Sequence, residues 1–183
     1  SQDLLAAYEP GDLRREVTIY AEGDMYYTTT PYEAIPYDPE WSSSDLTMAK
    51  YRGARNVVPA NHAPHGQADF NNERWLRLAE LKLLYAEALI EEGRDAEALT
   101  QINDIRRRAG LADLAAPVDI TEAMRQEKRI ELALEPHRWF DITRWGIGAE
   151  VFGDRWDDRL NLFPFPQSEI DRSGGTLNQN TGY

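Results

Sequence analysis

The sequence predicts a mainly α fold in which one helical hairpin is joined by further helices and by long irregular loops. Three observations carry this expectation. Residues 71–110 hold apolar side chains at helical spacing on both sides of Gly93. Residues 119–145 continue the helical period. Between Met25 and Phe70, five prolines and the run Ser42-Ser43-Ser44 interrupt any regular pattern. The chain therefore reads as one domain in four stretches: a loop-rich segment with a short strand (1–70), the hairpin (71–110), two more helices (111–148) and an irregular C-terminal tail (149–183).

Residues 3–8 (DLLAAY) suit one helical turn, ended by Pro10-Gly11. Glu16 to Tyr20 (EVTIY) is β-branched and alternating, which predicts a short strand turned by Glu22-Gly23-Asp24. The following stretch to Phe70 reads as ordered, irregular loop. It is rich in aromatics: Tyr26, Tyr27, Tyr32, Tyr37, Trp41 and Tyr51. Rings on loops either cover the core beneath them or stack on flat ligands such as sugars, because they offer area at low entropic cost.

The first long helix is predicted to start near Asn72-Glu73. Leu76, Ala79, Leu83, Ala86 and Ile90 form one stripe, and Leu78, Leu81, Tyr85 and Ala88 a second, which implies burial on two sides. The second helix runs from about Asp95 to Ala109 with Ala98, Ile102, Ile105 and Ala109 inward. Acids open it and Arg106-Arg107-Arg108 close it, as the helix dipole favours. Ala86, Ala88, Ala96 and Ala98 permit a close approach. This hairpin resembles a tetratricopeptide repeat in length and pattern, yet a single copy is visible, and such hairpins bury their faces by stacking on neighbours. Asp119-Ile-Thr-Glu122 reads as a capping box opening a third helix to Glu135, which Pro136 ends. HRWFDITRWG gives a fourth, with Trp139, Phe140, Ile142 and Trp145 inward. Leu160 to Phe165 is extended and apolar, and 166–170 allow one helical turn.

Charge and composition exclude several functions. The chain of 183 residues carries a net charge of −12, which opposes binding to nucleic acid or to an anionic membrane surface. Cysteine is absent, so no disulfide or thiolate metal site forms. No apolar run has the roughly 18 residues of a membrane-spanning helix, and the first residues lack a signal peptide's basic start and apolar centre.

No catalytic constellation stands out, and no catalytic residue, cofactor or metal is expected. Glu127 and Glu131 lie four apart on one helix face, but Arg125, Lys128, Arg129, Arg138 and Arg144 are near in sequence. Structural salt bridges therefore account for them better than glycosidase carboxylates do. His62 and His65, with Asp69 downstream, have spacing too generic for a metal site. His137 beside Trp139 reads as a packing residue.

Several segments together resemble the C-terminal part of the SusD/RagB family of outer-membrane nutrient-binding lipoproteins. They are Tyr8-Glu-Pro-Gly-Asp-Leu-Arg14 with Thr18-Ile19; Arg77-Leu-Ala-Glu80 through Tyr85-Ala-Glu-Ala-Leu89, then Ala98-Leu99, Ile102-Asn103, Ile105-Arg106 and Ala109-Gly110-Leu111; Glu127-Lys-Arg-Ile-Glu-Leu132 with Arg138-Trp-Phe-Asp141 and Arg144-Trp145; Leu162-Phe-Pro-Phe-Pro-Gln167 with Glu169-Ile170; and Gln179-Asn180 with Gly182-Tyr183. Their order matches the family's from end to end. Pro136 departs from it, standing where the family usually has a small residue.

The resemblance implies tetratricopeptide-like helices and a non-catalytic protein that captures glycans or peptides. It implies an N-terminal lipid anchor at the outer membrane and a SusC-like TonB-dependent transporter as partner. It also implies that Tyr183 lies near the natural C-terminus, with anchor, signal sequence and several helices preceding Ser1. Ligand residues do not carry over by motif, since the matched segments look structural. By elimination, the expected ligand-binding residues are those of the aromatic loop: Trp41, Tyr37, Tyr32, Tyr27 and Tyr26.

Overall fold

The computed structural model describes residues 1–27, 34–51 and 74–183. It divides into two compact units, Ser1–Pro136 and His137–Tyr183.

The first unit is built on the hairpin of α3 (Leu78–Glu91) and α4 (Asp95–Arg108), packed against α5 (Ile120–Glu131). Gly93 sits at φ +71°, the left-handed conformation that closes α3. The inner stripe of α4 lies where its spacing predicts: Ala98, Ile102, Ile105 and Ala109 are all buried. On α3 the buried line is Leu83, Ala86 and Leu89, with the carboxylate of Glu80 at its start.

Two expectations about α3 change. Residues 74–77 are not helical, so α3 begins at Leu78 and not near Asn72, while 71–73 lie outside the described residues. The second stripe is exposed: Leu78 and Leu81 show 68% and 54% of their surface. One face of α3 meets α4 and α5, and the opposite apolar face is exposed among the described residues.

Helix α5 is shorter than its periodicity suggests. Asp119 caps it as predicted, Oδ1 accepting from Glu122 N at 3.0 Å. The helix ends at Glu131, four residues before Glu135, because Leu134 adopts a left-handed φ of +66°. That conformation is uncommon for a residue with a side chain, and nothing in the residue type announces it.

The N-terminal segment lies on these helices. It holds α1 (Gln2–Ala6), α2 (Arg14–Thr18), β1 (Ile19–Tyr20), β2 (Met25–Tyr27), β3 (Ala34–Pro36), a 3₁₀ turn (Pro39–Trp41) and β4 (Thr47–Met48). The expected strand over 16–20 is therefore mostly helical, since Arg14 to Thr18 wind into α2 and only Ile19 and Tyr20 extend. The described part of the stretch after Met25 is also more regular than expected, while 28–33 and 52–70 lie outside the described residues. β1 pairs antiparallel with β4, Ile19 opposite Met48, and β2 pairs with β3, Tyr26 opposite Ile35. Tyr8, Ile19, Ala21 and Leu46 bury themselves with Ile130 of α5.

The second unit contains α6 (Arg138–Arg144), α7 (Gly148–Phe152), two 3₁₀ turns and α8 (Gln167–Arg172). Ile142 is buried and Trp139 and Trp145 are half-buried, but Phe140, expected inward, is exposed. Trp139, Phe152 and Trp156 form a ring cluster, the last two stacked with centroids 6.0 Å apart. The Gln179-Asn180 pair has a clear local role. The Gln179 amide exchanges two hydrogen bonds with the backbone of Phe165 (2.8 and 2.9 Å), and Asn180 Nδ2 donates to Phe163 O at 2.6 Å. The tail thereby clamps the proline-rich strap. No helix among the described residues is long and apolar enough to cross a membrane.

Candidate functional site

The short strands of the first unit gather four rings. Tyr20 comes from β1, Tyr26 from β2, Tyr37 from the residue after β3 and Trp41 from the 3₁₀ turn. Asp38 fixes that turn, its Oδ1 accepting from Glu40 N at 3.0 Å while its carbonyl accepts from Trp41 N at 3.1 Å. Tyr26 and Tyr37 each meet Trp41 edge-on, at 5.1 and 5.7 Å between centroids. Tyr20 lies 6.1 Å from Tyr37 with the planes stacked, and 5.4 Å from Tyr26. Such edge-on and offset arrangements are the favoured ones for aromatic pairs, and they fix ring orientation as well as burying area.

Exposure ranks these rings. Tyr37 is 4% exposed and its hydroxyl pairs with Thr47 Oγ1 at 3.0 Å, so it is the floor of the cluster. Tyr20 and Tyr26 are half-buried. Trp41 is 50% exposed, the most open of the four rings. Beside Tyr20 opens a cavity of about 620 Å³, bordered by Glu16, Val17, Asp24, Met25 and Lys50. Its carboxylates differ in availability. Asp24 is committed to the Arg15 guanidinium and to the amide of Ala21, whereas Glu16 is exposed.

Of the five ring residues expected from sequence, Trp41, Tyr37 and Tyr26 come together. Tyr27 is placed by its backbone in β2, its side chain lying outside the described parts. Tyr32, like His62, His65 and Asp69, lies outside the described residues. Tyr20 was missed. It reads as a strand residue in EVTIY, and only the pairing of β1 with β4 brings it beside the later rings.

The carboxylates of α5 form a second organised centre, with partners unlike those expected from neighbouring sequence. Glu127 Oε1 accepts from Arg14 Nη1 at 2.5 Å, and its other oxygen lies 3.5 Å from Arg106. Glu131 takes Arg14 (3.0 Å), Arg77 (2.5 Å) and Arg108 (2.5 Å). Glu135 takes Arg77 (2.7 Å) and Lys50 (2.5 Å). Asp12 holds Arg14 from the other side at 2.7 Å, and Glu9 holds Arg106 at 2.5 Å. These partners come from α2, the residues after β4, the start of α3 and the end of α4, so the centre ties four separate segments to α5 and the turn that follows it.

The surroundings set the charge states. Burial pushes the Glu127 carboxyl up, and Arg14 and Arg106 pull it back only in part. Burial acts the same way on Glu131 and Glu135, but the hydrogen bonds from Arg77, with Arg14 and Lys50 respectively, outweigh it and hold both below the usual carboxylate range. Burial likewise lowers the Lys50 ammonium, more than Glu135 raises it. Every carboxylate oxygen of Glu127 and Glu131 faces a guanidinium, so the pair weighed above for glycosidase chemistry is closed by ion pairs and does not flank a cleft.

Comparison with known proteins gives a consistent picture. The model of the SusD family matches residues 1–161. The SusD-like protein P2 of Formosa agariphila is 32% identical over 196 residues, covering 96% of this chain and 38% of that protein. SusD-like protein P38 of the same organism is 31% identical over 72% of this chain and 26% of its own length. The chain thus spans well under half of the relatives it matches. Among solved structures, a SusD-like protein from Bacteroides fragilis superposes with a TM-score of 0.82 at 28% identity, over 100% of this chain and 46% of its own. A SusD-like carbohydrate binding protein from the same species gives 0.61 at 28% identity over 82% of this chain and 36% of its own.

Proposed function

The chain belongs to the SusD family, and from that premise we propose that it is part of a non-catalytic, glycan-binding protein of the cell surface. The observation that carries the reading is the ring cluster of Tyr20, Tyr26, Tyr37 and Trp41, in which Trp41 is half exposed. A half-exposed indole held by the buried Tyr37 and the half-buried Tyr26 offers preformed apolar area to the C–H faces of a sugar. The adjoining cavity supplies what a ring cannot, an exposed acceptor in Glu16 for hydroxyl groups. In this reading Trp41 and Tyr26 touch ligand and Tyr37 supports them, with Tyr27 and Tyr32, from the same stretch of sequence, as further candidates. The carbohydrate-binding neighbour named above supports the glycan reading. The closure of Glu127 and Glu131 by arginines supports a binding role over hydrolysis.

In the whole protein, this portion works with a SusC-like TonB-dependent transporter that imports the captured nutrient. The whole protein is lipid-anchored and faces outward at the outer membrane. Co-purification of the full-length protein with such a barrel tests that part; recovery without any barrel contradicts it.

A second reading is favoured by a different observation. The exposed apolar ridge of α3 (Leu78, Leu81, Tyr85) is suited to protein contact, as in a helical-repeat scaffold or a peptide-capturing relative. Titration calorimetry with a panel of oligosaccharides and peptides separates the two. Glycan binding that depends on Trp41 supports the first, and peptide binding with silence across glycans supports the second.

A further inference from the structure

The segment that carries the ring cluster is anchored at both ends to the same place. Arg14 precedes it on α2, and Lys50 follows it after β4. At its base Thr18 O accepts from Ala49 N at 2.8 Å, and β1 bridges β4. Arg14 then reaches Glu127 and Glu131 as described. Lys50 Nζ donates to Glu131 O at 3.1 Å, Ala133 O at 3.0 Å and Glu135 Oε1 at 2.5 Å. An ammonium has three N–H bonds, and all three are placed. Two of them end on carbonyls at and just beyond the C-terminus of α5, where helices leave acceptors unmatched and favour a cation. Between these anchors the described strands are two or three residues long, and strands that short do not hold a loop by themselves.

We propose that Lys50, together with Arg14, is a positioning residue of the ligand site: it docks the base of the ring-bearing segment on the C-terminus of α5 and so fixes the Tyr20–Tyr26–Tyr37–Trp41 surface before ligand arrives. The inference rests on reading that surface as the glycan platform. Its physical content is preorganisation. Rings that are already ordered do not lose rotamer freedom on binding, and the saving appears as affinity. Glu135 also receives Arg77 Nε and Nη2 at 2.9 and 2.7 Å, bonds that do not pass through Lys50.

The test uses the full-length protein labelled with 5-fluorotryptophan, the Trp41 resonance being assigned by Trp41→Phe. In Lys50→Met, the Trp41 fluorine signal shifts or broadens without ligand while those of Trp139, Trp145 and Trp156 stay fixed. Affinity for the oligosaccharide found by panel screening falls on the order of tenfold. Lys50→Arg, which keeps the cation but not the three-way donor geometry, gives an intermediate change and serves if Lys50→Met fails to fold. An unmoved Trp41 signal overturns the proposal whatever the affinity does. A moved signal with unchanged affinity, in a protein that needs Trp41 to bind, overturns it too. If Trp41→Ala binds glycan as wild type does, the platform reading fails, and the fluorine arm still reports whether Lys50 orients Trp41.

Discussion

Replacing Glu131 by glutamine isolates the buried ion pairs that hold the first unit together. The Glu131 side chain is 2% exposed and receives Arg14, Arg77 and Arg108. Glutamine keeps the shape and one acceptor oxygen but turns an N–H donor toward guanidinium donors and removes the charge. Breaking one partner of a buried pair costs about 3–5 kcal/mol, because the remaining charge stays desolvated. Arg14 and Arg77 are shielded, at 11% and 19%, and bear that cost. Arg108 is 59% exposed, so water recovers most of its share. With one acceptor retained, the expected loss is about 2–3 kcal/mol. For a chain of this length that corresponds to roughly 5–10 °C in melting temperature. Because the chain has two compact units, the assay is native-state hydrogen exchange read on the α5 amides, which reports the first unit directly. Glu97→Gln is the control, since Glu97 pairs with Arg94 at 2.7 Å on the open surface. Its effect should be unmeasurable. If Glu131→Gln costs no more than Glu97→Gln, the account of the buried centre is wrong.

Two further predictions follow from the same reasoning. The folded values of Glu9, Glu131 and Glu135 are lowered from an ordinary value of 4.5, so the stability they contribute is present above that pH and is lost as pH falls through their folded values. Glu127 is raised and acts with the opposite sign, so acid unfolding should begin below about pH 4.5 and Glu135→Gln should flatten it; a stability that rises on acidification refutes the assignment. In the second unit a Cβ at Gly148 would lie 2.2 Å from the Trp156 ring, so Gly148→Ala must displace that indole from its stack on Phe152, with a cost of about 1–3 kcal/mol; an unchanged Trp156 fluorine resonance refutes the packing.

What the sequence revealed, and what it concealed, follows from the range of the interactions involved. The α4 stripe and the Asp119 cap are local, set by spacings of three or four residues, and both lie where those spacings put them. The second stripe of α3 was legible as apolar, but periodicity does not say what covers a face, and here Leu78 and Leu81 are open. The end of α5 depends on the left-handed Leu134, a conformation its residue type does not favour. The carboxylate centre was recognisable as structural from the excess of nearby arginines. Its true partners could not be read locally, since Arg14 meets Glu127 across 113 residues of chain. The ring cluster was half legible for the same reason. Trp41, Tyr37 and Tyr26 are close in sequence, whereas Tyr20 joins through strand pairing. The motif Tyr8 to Arg14 proves to be a set of anchors: Asp12 holds Arg14, Glu9 holds Arg106, and Tyr8 is buried beside Ile130.

The glycan-binding reading stands or falls on the half-exposed Trp41. The decisive measurement is calorimetric titration of a panel-selected oligosaccharide into the full-length wild-type protein and into Trp41→Ala, with α5 hydrogen exchange confirming an unchanged scaffold. The account predicts saturable binding by the wild type and a loss of at least tenfold in the variant. Equal affinity in the two proteins, with the scaffold intact, would place the ligand elsewhere and contradict it.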